Sequence, residues 1–193
     1  MIFTLIQTTE TASNSGSHLD KQIKRIAAGD KPALAELYRE TKSSVYGFAL
    51  SLTQNTADAE DILQEVYLKI WANAGTYKIK GTPMAWILTI TKNLALMKLR
   101  EKKRHQDLKP EEWDMAFHIP DSAGNVEDRH LLETALNLLS EEERQILLLH
   151  AVSGLKFREI GDLMGIPLST VLSKHHRALK KLREYLTSHD AAS

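Results

Sequence analysis

The sequence predicts an all-α protein: two small helical domains joined by a flexible linker, the C-terminal one containing a helix-turn-helix. Apolar residues recur at intervals of three and four, and alternating β-branched runs are short. The periodicity fails between His105 and Val126, where Pro110, Pro120 and Gly124 interrupt the chain. With 193 residues, 42% of them hydrophobic, the chain can bury one moderate core or two small ones.

Residues 1–18 start apolar, turn polar at "TTETASNSGSH" and have no basic leader, so a mobile extension is expected rather than a secretory signal. No run reaches membrane-spanning length, and no membrane insertion is expected. "LDKQIKRIAAG" predicts a first helix closing at Gly29. Asp30 then caps a longer helix that tolerates Pro32 in its first turn and lines one face with Leu34, Leu37, Tyr38, Val45, Phe48, Ala49 and Leu52. In "TADAEDILQEVYLKIWANAG" Thr56 is the expected cap, the acids of the first turn suit the helix dipole, and Gly75 is the stop. Ile62, Val66 and Ile70 point to the core. "TYKIKGTP" is a loop by its Gly and Pro, and Pro83 opens "MAWILTITKNLALMKLREKKR", apolar early and basic late, with Trp86 as a packing residue.

These elements form a domain over 19–105, followed by a linker over 106–126. In the second domain, 127–187, "LLETALNLL" is one helix and Ser140 opens another with Glu143 three residues on, a capping box. Ser153 and Gly154 end it. Phe157 to Met164 is a short helix, Gly165 to Pro167 a turn, and Ser169 the expected cap of a last helix to about Leu186, leaving 188–193 as a tail.

That last portion has the requirements of a helix-turn-helix, in which one helix props a second into the major groove. Ile160, Leu163, Ile166 and Val171 supply the apolar contacts, Gly161 the close approach and Gly165 the turn. Ser169, Thr170, Ser173, Lys174, His176 and Arg177 are the candidates to face bases, and Lys180, Lys181 and Arg183 to contact phosphates.

Zero net charge hides segregation. Lys92, Lys98, Arg100, Lys102, Lys103, Arg104 and Lys109 outnumber Glu101 and Asp107, and Lys174, Arg177, Lys180, Lys181 and Arg183 meet no acid between 170 and 183. Residues 127–143 are acidic in turn. Two separated surfaces that face a polyanion suit this pattern, while solvated helix faces are the usual source of any single run.

An enzyme is not expected: the chain has no cysteine, phosphate-cradling glycine loop, metal-ligand spacing or nucleophile motif. No catalytic residue, metal, cofactor or small-molecule substrate follows from it. The adjacent His175 and His176 point about 100° apart and read as helix-surface residues.

Three segments in order, "DAEDILQEVYLKIW", "GTPMAWILTITKNLA" and "LLSEEERQILLLHAVSGLKFREIGDLMGIPLSTV", resemble the extracytoplasmic-function sigma factors of the sigma-70 family over roughly residues 20–186. The resemblance implies a cytoplasmic subunit without a catalytic site, whose partners are core RNA polymerase, promoter DNA and an anti-sigma factor. It implies that Asp61, Gln64, Glu65 and Lys69 contact the polymerase clamp. Tyr77, Lys78 and Lys80, with Lys92, Asn93, Leu96 and Arg100, would receive the melted upstream element. The acids of the linker, Asp107, Glu111, Glu112, Asp114 and Asp121, would mimic nucleic-acid charge in the polymerase cleft or simply solvate a tether. Met97 departs from the family pattern at a commonly polar position, and Leu172 and Leu179 do so where Lys and Arg are common. Two other readings compete: a conventional helix-turn-helix regulator binding operators, and a sigma-like decoy that occupies an anti-sigma factor.

Overall fold

A computed structural model describes residues 12–78, 82–105 and 126–190, and every regular element among them is helical. The N-terminal half comprises α1 (Ala12–Ala27), α2 (Lys31–Thr53), α3 (Thr56–Asn73), a 3-10 turn (Ala74–Thr76) and α4 (Pro83–His105). The C-terminal half comprises α5 (Val126–Asn137), α6 (Glu141–Ala151), α7 (Phe157–Met164) and α8 (Leu168–Asp190). Residues 106–125, most of the expected linker, lie outside the described residues, as do 1–11 and Lys80.

Local chemistry sets most boundaries. Asp30 accepts the Ala33 N–H at 3.2 Å and starts α2, as expected. The Ser140 hydroxyl accepts the Glu143 N–H at 3.3 Å while the Glu143 carboxylate accepts the Ser140 N–H at 3.0 Å, completing the capping box of α6. Three expected starts are corrected. α1 begins at Ala12, so part of the expected extension is helical. The cap of α3 is Asn55, not Thr56: Asn55 is extended and its side chain accepts the Asp58 N–H at 2.9 Å, whereas Thr56 is already helical. α8 begins at Leu168, because the Pro167 carbonyl already accepts from Thr170 and Val171, at 2.9 and 3.1 Å; Ser169 is therefore inside the first turn rather than the cap. That helix continues past Leu186 to Asp190.

Ile23, Leu37, Phe48, Ile70, Ile87 and Leu88 fill the N-terminal core. Tyr38 is the exception on its expected apolar face, more than a third exposed, with its ring edge-on to Tyr67 at 4.8 Å. Ile146, Leu149, Leu155, Ile160, Val171 and Ala178 fill the C-terminal core.

The two halves pack against each other through α2 and α6. The Ser44 hydroxyl donates to the Val152 carbonyl at 3.2 Å, and the Gln145 amide donates to the Ser51 carbonyl at 3.3 Å. A third bond runs from the Lys92 ammonium on α4 to the Leu163 carbonyl near the end of α7, at 2.6 Å.

Two glycines predict opposite outcomes. A Cβ on Gly161 would stand 2.9 Å from the Ile166 carbonyl oxygen and 3.7 Å from Val171, so Gly161→Ala forces backbone movement at the turn. It should cost about 1–3 kcal/mol in chemical denaturation. Gly47, inside α2, has nothing within 4 Å of an added Cβ, and Gly47→Ala should stabilise by about 0.5–1 kcal/mol.

Candidate nucleic-acid interface

The α4 helix is apolar in its first half because it completes the N-terminal core, and its basic second half divides by helical phase. Lys98 and Lys102 face α3: the Lys98 ammonium lies 2.5 Å from Asp61 and 3.5 Å from Asp58, and Lys102 pairs with the other oxygen of Asp58. Burial alone would favour the neutral Lys98 amine, but the bond to Asp61 and the nearby Asp58 outweigh it and raise its pKa above the ordinary lysine value. Asn93, Met97, Arg100, Lys103 and Arg104 are exposed on the other side, with Leu96 partly so. Asn93, Leu96 and Arg100 thus share a face, while Lys92 is drawn off to α7.

Asn93 also borders a cleft of about 340 Å³ between α3 and α4, lined further by Lys69, Asn73, Thr76, Trp86 and Ile90. Trp86 therefore packs, as expected, and also forms a wall. Tyr77 lies behind it, rings 4.8 Å apart, and donates its hydroxyl proton to Asp20 on α1 at 2.6 Å. Burial and the Asp20 carboxylate raise the Tyr77 pKa far above the ordinary tyrosine value, so it stays protonated. In this arrangement Tyr77 anchors the start of the loop, and Lys78 beside it is exposed.

On α3, Gln64 is exposed and Glu65 pairs loosely with Lys69 at 3.9 Å, while Asp61 is engaged by α4. Sequence reasoning missed Leu68 and Trp71, two apolar side chains exposed beside them. Their signal was available: they are out of phase with Ile62, Val66 and Ile70.

The same division recurs on α8. Ser169, Ser173, His176, Arg177, Lys180 and Arg183 are exposed. Two expected DNA-facing lysines are instead held by the acidic first turn of α6. Lys174 lies 2.5 Å from Glu142, and Lys181 lies 2.7 Å from the buried carboxylate of Glu143. Burial pushes the Glu143 carboxyl up, but the bonds from Lys181 and from the Ser140 backbone prevail and hold it below the ordinary range. Thr170 is half-buried, its carbonyl accepting the Ser173 hydroxyl at 3.0 Å.

His175 corrects the expectation of a surface histidine. Its ring meets Phe157 at 4.8 Å and His150 at 5.2 Å, and the His150 ring stacks on Phe157 at 4.3 Å. The cluster was hidden because its members come from three helices. His176 is exposed as expected, and no group of three or more metal-ligating side chains occurs among the described residues.

The geometry defines a helical protein with an outward cationic face on one long helix of each half, the second belonging to a helix-turn-helix. Residues 37–105 match Sigma-70 region 2 and residues 129–182 match Sigma-70 region 4. The chain is 32% identical to the ECF RNA polymerase sigma factor SigK of Mycobacterium bovis, over 88% of this chain and 94% of that one. It is 35% identical to the ECF RNA polymerase sigma factor SigE of Mycolicibacterium smegmatis, over 86% of this chain and 67% of that one. Among solved structures it resembles the sigma factor RpoE in complex with the anti-sigma factor NepR from Bartonella quintana, with a TM-score of 0.60 and 26% identity over 76% of this chain and 92% of that one. The chain belongs to the extracytoplasmic-function sigma factors of RNA polymerase.

The ring cluster predicts a pH dependence. Burial, then the neighbouring His150 and His176, lower the pKa of His175 below its ordinary 6.5, so the unfolded chain binds this proton more readily than the folded one. Its contribution to stability is complete above pH 6.5 and is lost as pH falls toward the lower folded value. Urea midpoints measured from about pH 8 to about pH 5 should therefore decline less in His175→Leu than in the parent chain.

Proposed function

We propose that this chain binds core RNA polymerase in the cytoplasm through the exposed side of α3 and directs it to promoters through α4 and α8, acting as an initiation factor and not as an enzyme. The observation that supports it best is the doubled cationic face. Arg100, Lys103 and Arg104 on α4, and Arg177, Lys180 and Arg183 on α8, point away from the acids that hold their inward neighbours.

On α3, Gln64, Glu65 and Lys69 offer polar contacts to the polymerase, and the exposed Leu68 and Trp71 add apolar area. Asp61 is turned instead toward α4, where it pairs with Lys98. At the upstream element, Asn93 and Trp86 bound a cleft for an unstacked base, Lys78 and Arg100 lie on exposed surface for the backbone, and Tyr77 holds the loop. Unstacking a base costs a few kcal/mol, which stacking and hydrogen bonding in such a cleft offset. On α8, Ser169, Ser173, His176 and Arg177 read the second element, while Lys180 and Arg183 bind phosphates. Lys174 and Lys181 support α8 from behind.

An anti-sigma factor is the regulatory partner we infer, since RpoE was solved with one. Among the described residues no helix is long and apolar enough to cross a membrane.

The test is multi-round transcription by purified bacterial core polymerase on a genomic promoter library, with RNA 5′ ends sequenced. Discrete starts that require this protein and share two upstream elements are expected, and Arg177→Ala should weaken holoenzyme binding by about 1–3 kcal/mol. Core binding without protein-dependent starts would contradict the proposal.

A further inference from the structure

Two leucines stand exposed at the beginning of α8, Leu168 at 40% and Leu172 at 45% of full exposure. Four residues apart, they lie one above the other on the helix. The interior does not need them: Val171 and Ala178 are fully buried on the inward face, and Leu182 packs there as well. Leu172 is turned about 100° from Val171, toward Ser169, Ser173 and His176, all exposed. Arg177 is the exposed cation nearest to them, Lys180, Lys181 and Arg183 follow further along α8, and the helix carries no acid before Glu184.

An apolar pair in a cationic surround fits a polyanion that displays an apolar group at one depth. Duplex DNA does so in the major groove, where the only apolar group on any base edge is the thymine C5 methyl. The N-terminal residues of a recognition helix are those that reach base edges. Resting on the proposed function above, we propose that Leu172, flanked by Leu168, is a specificity-determining residue that packs against a thymine methyl in the upstream element read by α8. A lysine or arginine there would add phosphate affinity without sequence choice; leucine gives up that charge for a contact only thymine can return. Leu179, also exposed, lies about 10 Å further along the axis and is outside this contact.

Uracil differs from thymine by that methyl alone. The holoenzyme should be titrated with a promoter it uses, with deoxyuridine replacing thymidine one position at a time across the element. At one or two positions the replacement should weaken binding about threefold to fourfold, the worth of burying one methyl group. The loss should vanish in Leu172→Ala and persist in Leu179→Ala. An element with no methyl-sensitive position, or a sensitivity that survives Leu172→Ala, overturns the assignment and returns the leucines to contact with a protein. If no promoter shows protein-dependent initiation, the underlying reading falls and takes this one with it.

Discussion

Both halves depend on the same electrostatic seam, in which lysines on a long basic helix are held by carboxylates at the start of a neighbouring helix. In the N-terminal half Lys98 and Lys102 meet Asp58 and Asp61 of α3; in the C-terminal half Lys174 and Lys181 meet Glu142 and Glu143 of α6. Asp58, Glu142 and Glu143 sit in the first turns of α3 and α6, where the helix dipole favours negative charge, so each serves its own helix and its neighbour together. The Glu143 side chain also closes the capping box of α6. Exposed pairs of this kind contribute little, but Asp58 and Glu143 are buried, and removing a partner there strands a charge.

The seam explains how a chain with no net charge keeps outward cationic faces. Two lysines of each basic run are paired inward, Lys98 and Lys102 on α4 and Lys174 and Lys181 on α8, and what remains is an outward set with few intramolecular competitors: Arg100, Lys103 and Arg104 on one helix, Arg177 and Arg183 on the other. Lys180 has a loose, exposed contact with Glu184 at 3.8 Å. Composition alone says nothing of this, because it counts charges without their directions.

Much of the fold was legible in the residues themselves. The capping box at Ser140, the limits of α7 and the close approach at Gly161 are local, each decided within a few residues. The cap of α3 lies one residue before the expected Thr56, and the residue preceding α8 lies two before the expected Ser169, since Asn55 and Pro167 take a helix-entry position that nearby Thr56 and Ser169 could have taken equally well. The candidate site was legible as a set of helices rather than a set of side chains. Which lysines of α8 face outward depends on the acids of α6, and whether Tyr77 is free depends on Asp20, 57 residues away in sequence. The ring cluster of His150, Phe157 and His175 likewise needs three helices in place.

The bond from Lys92 to the Leu163 carbonyl ties the basic helix of one half to the helix-turn-helix of the other. The ammonium has donors to spare, but held at that carbonyl it meets a phosphate only where one lies beside α7. A phosphate elsewhere on α4 that drew Lys92 away would loosen the docking of the two halves, and docking would disfavour that contact by the same factor, because coupling free energy is reciprocal. A promoter contact made by Lys92 would in this way be partly a property of the packing of α4 on α7, and a change in that packing would alter DNA affinity without touching the DNA.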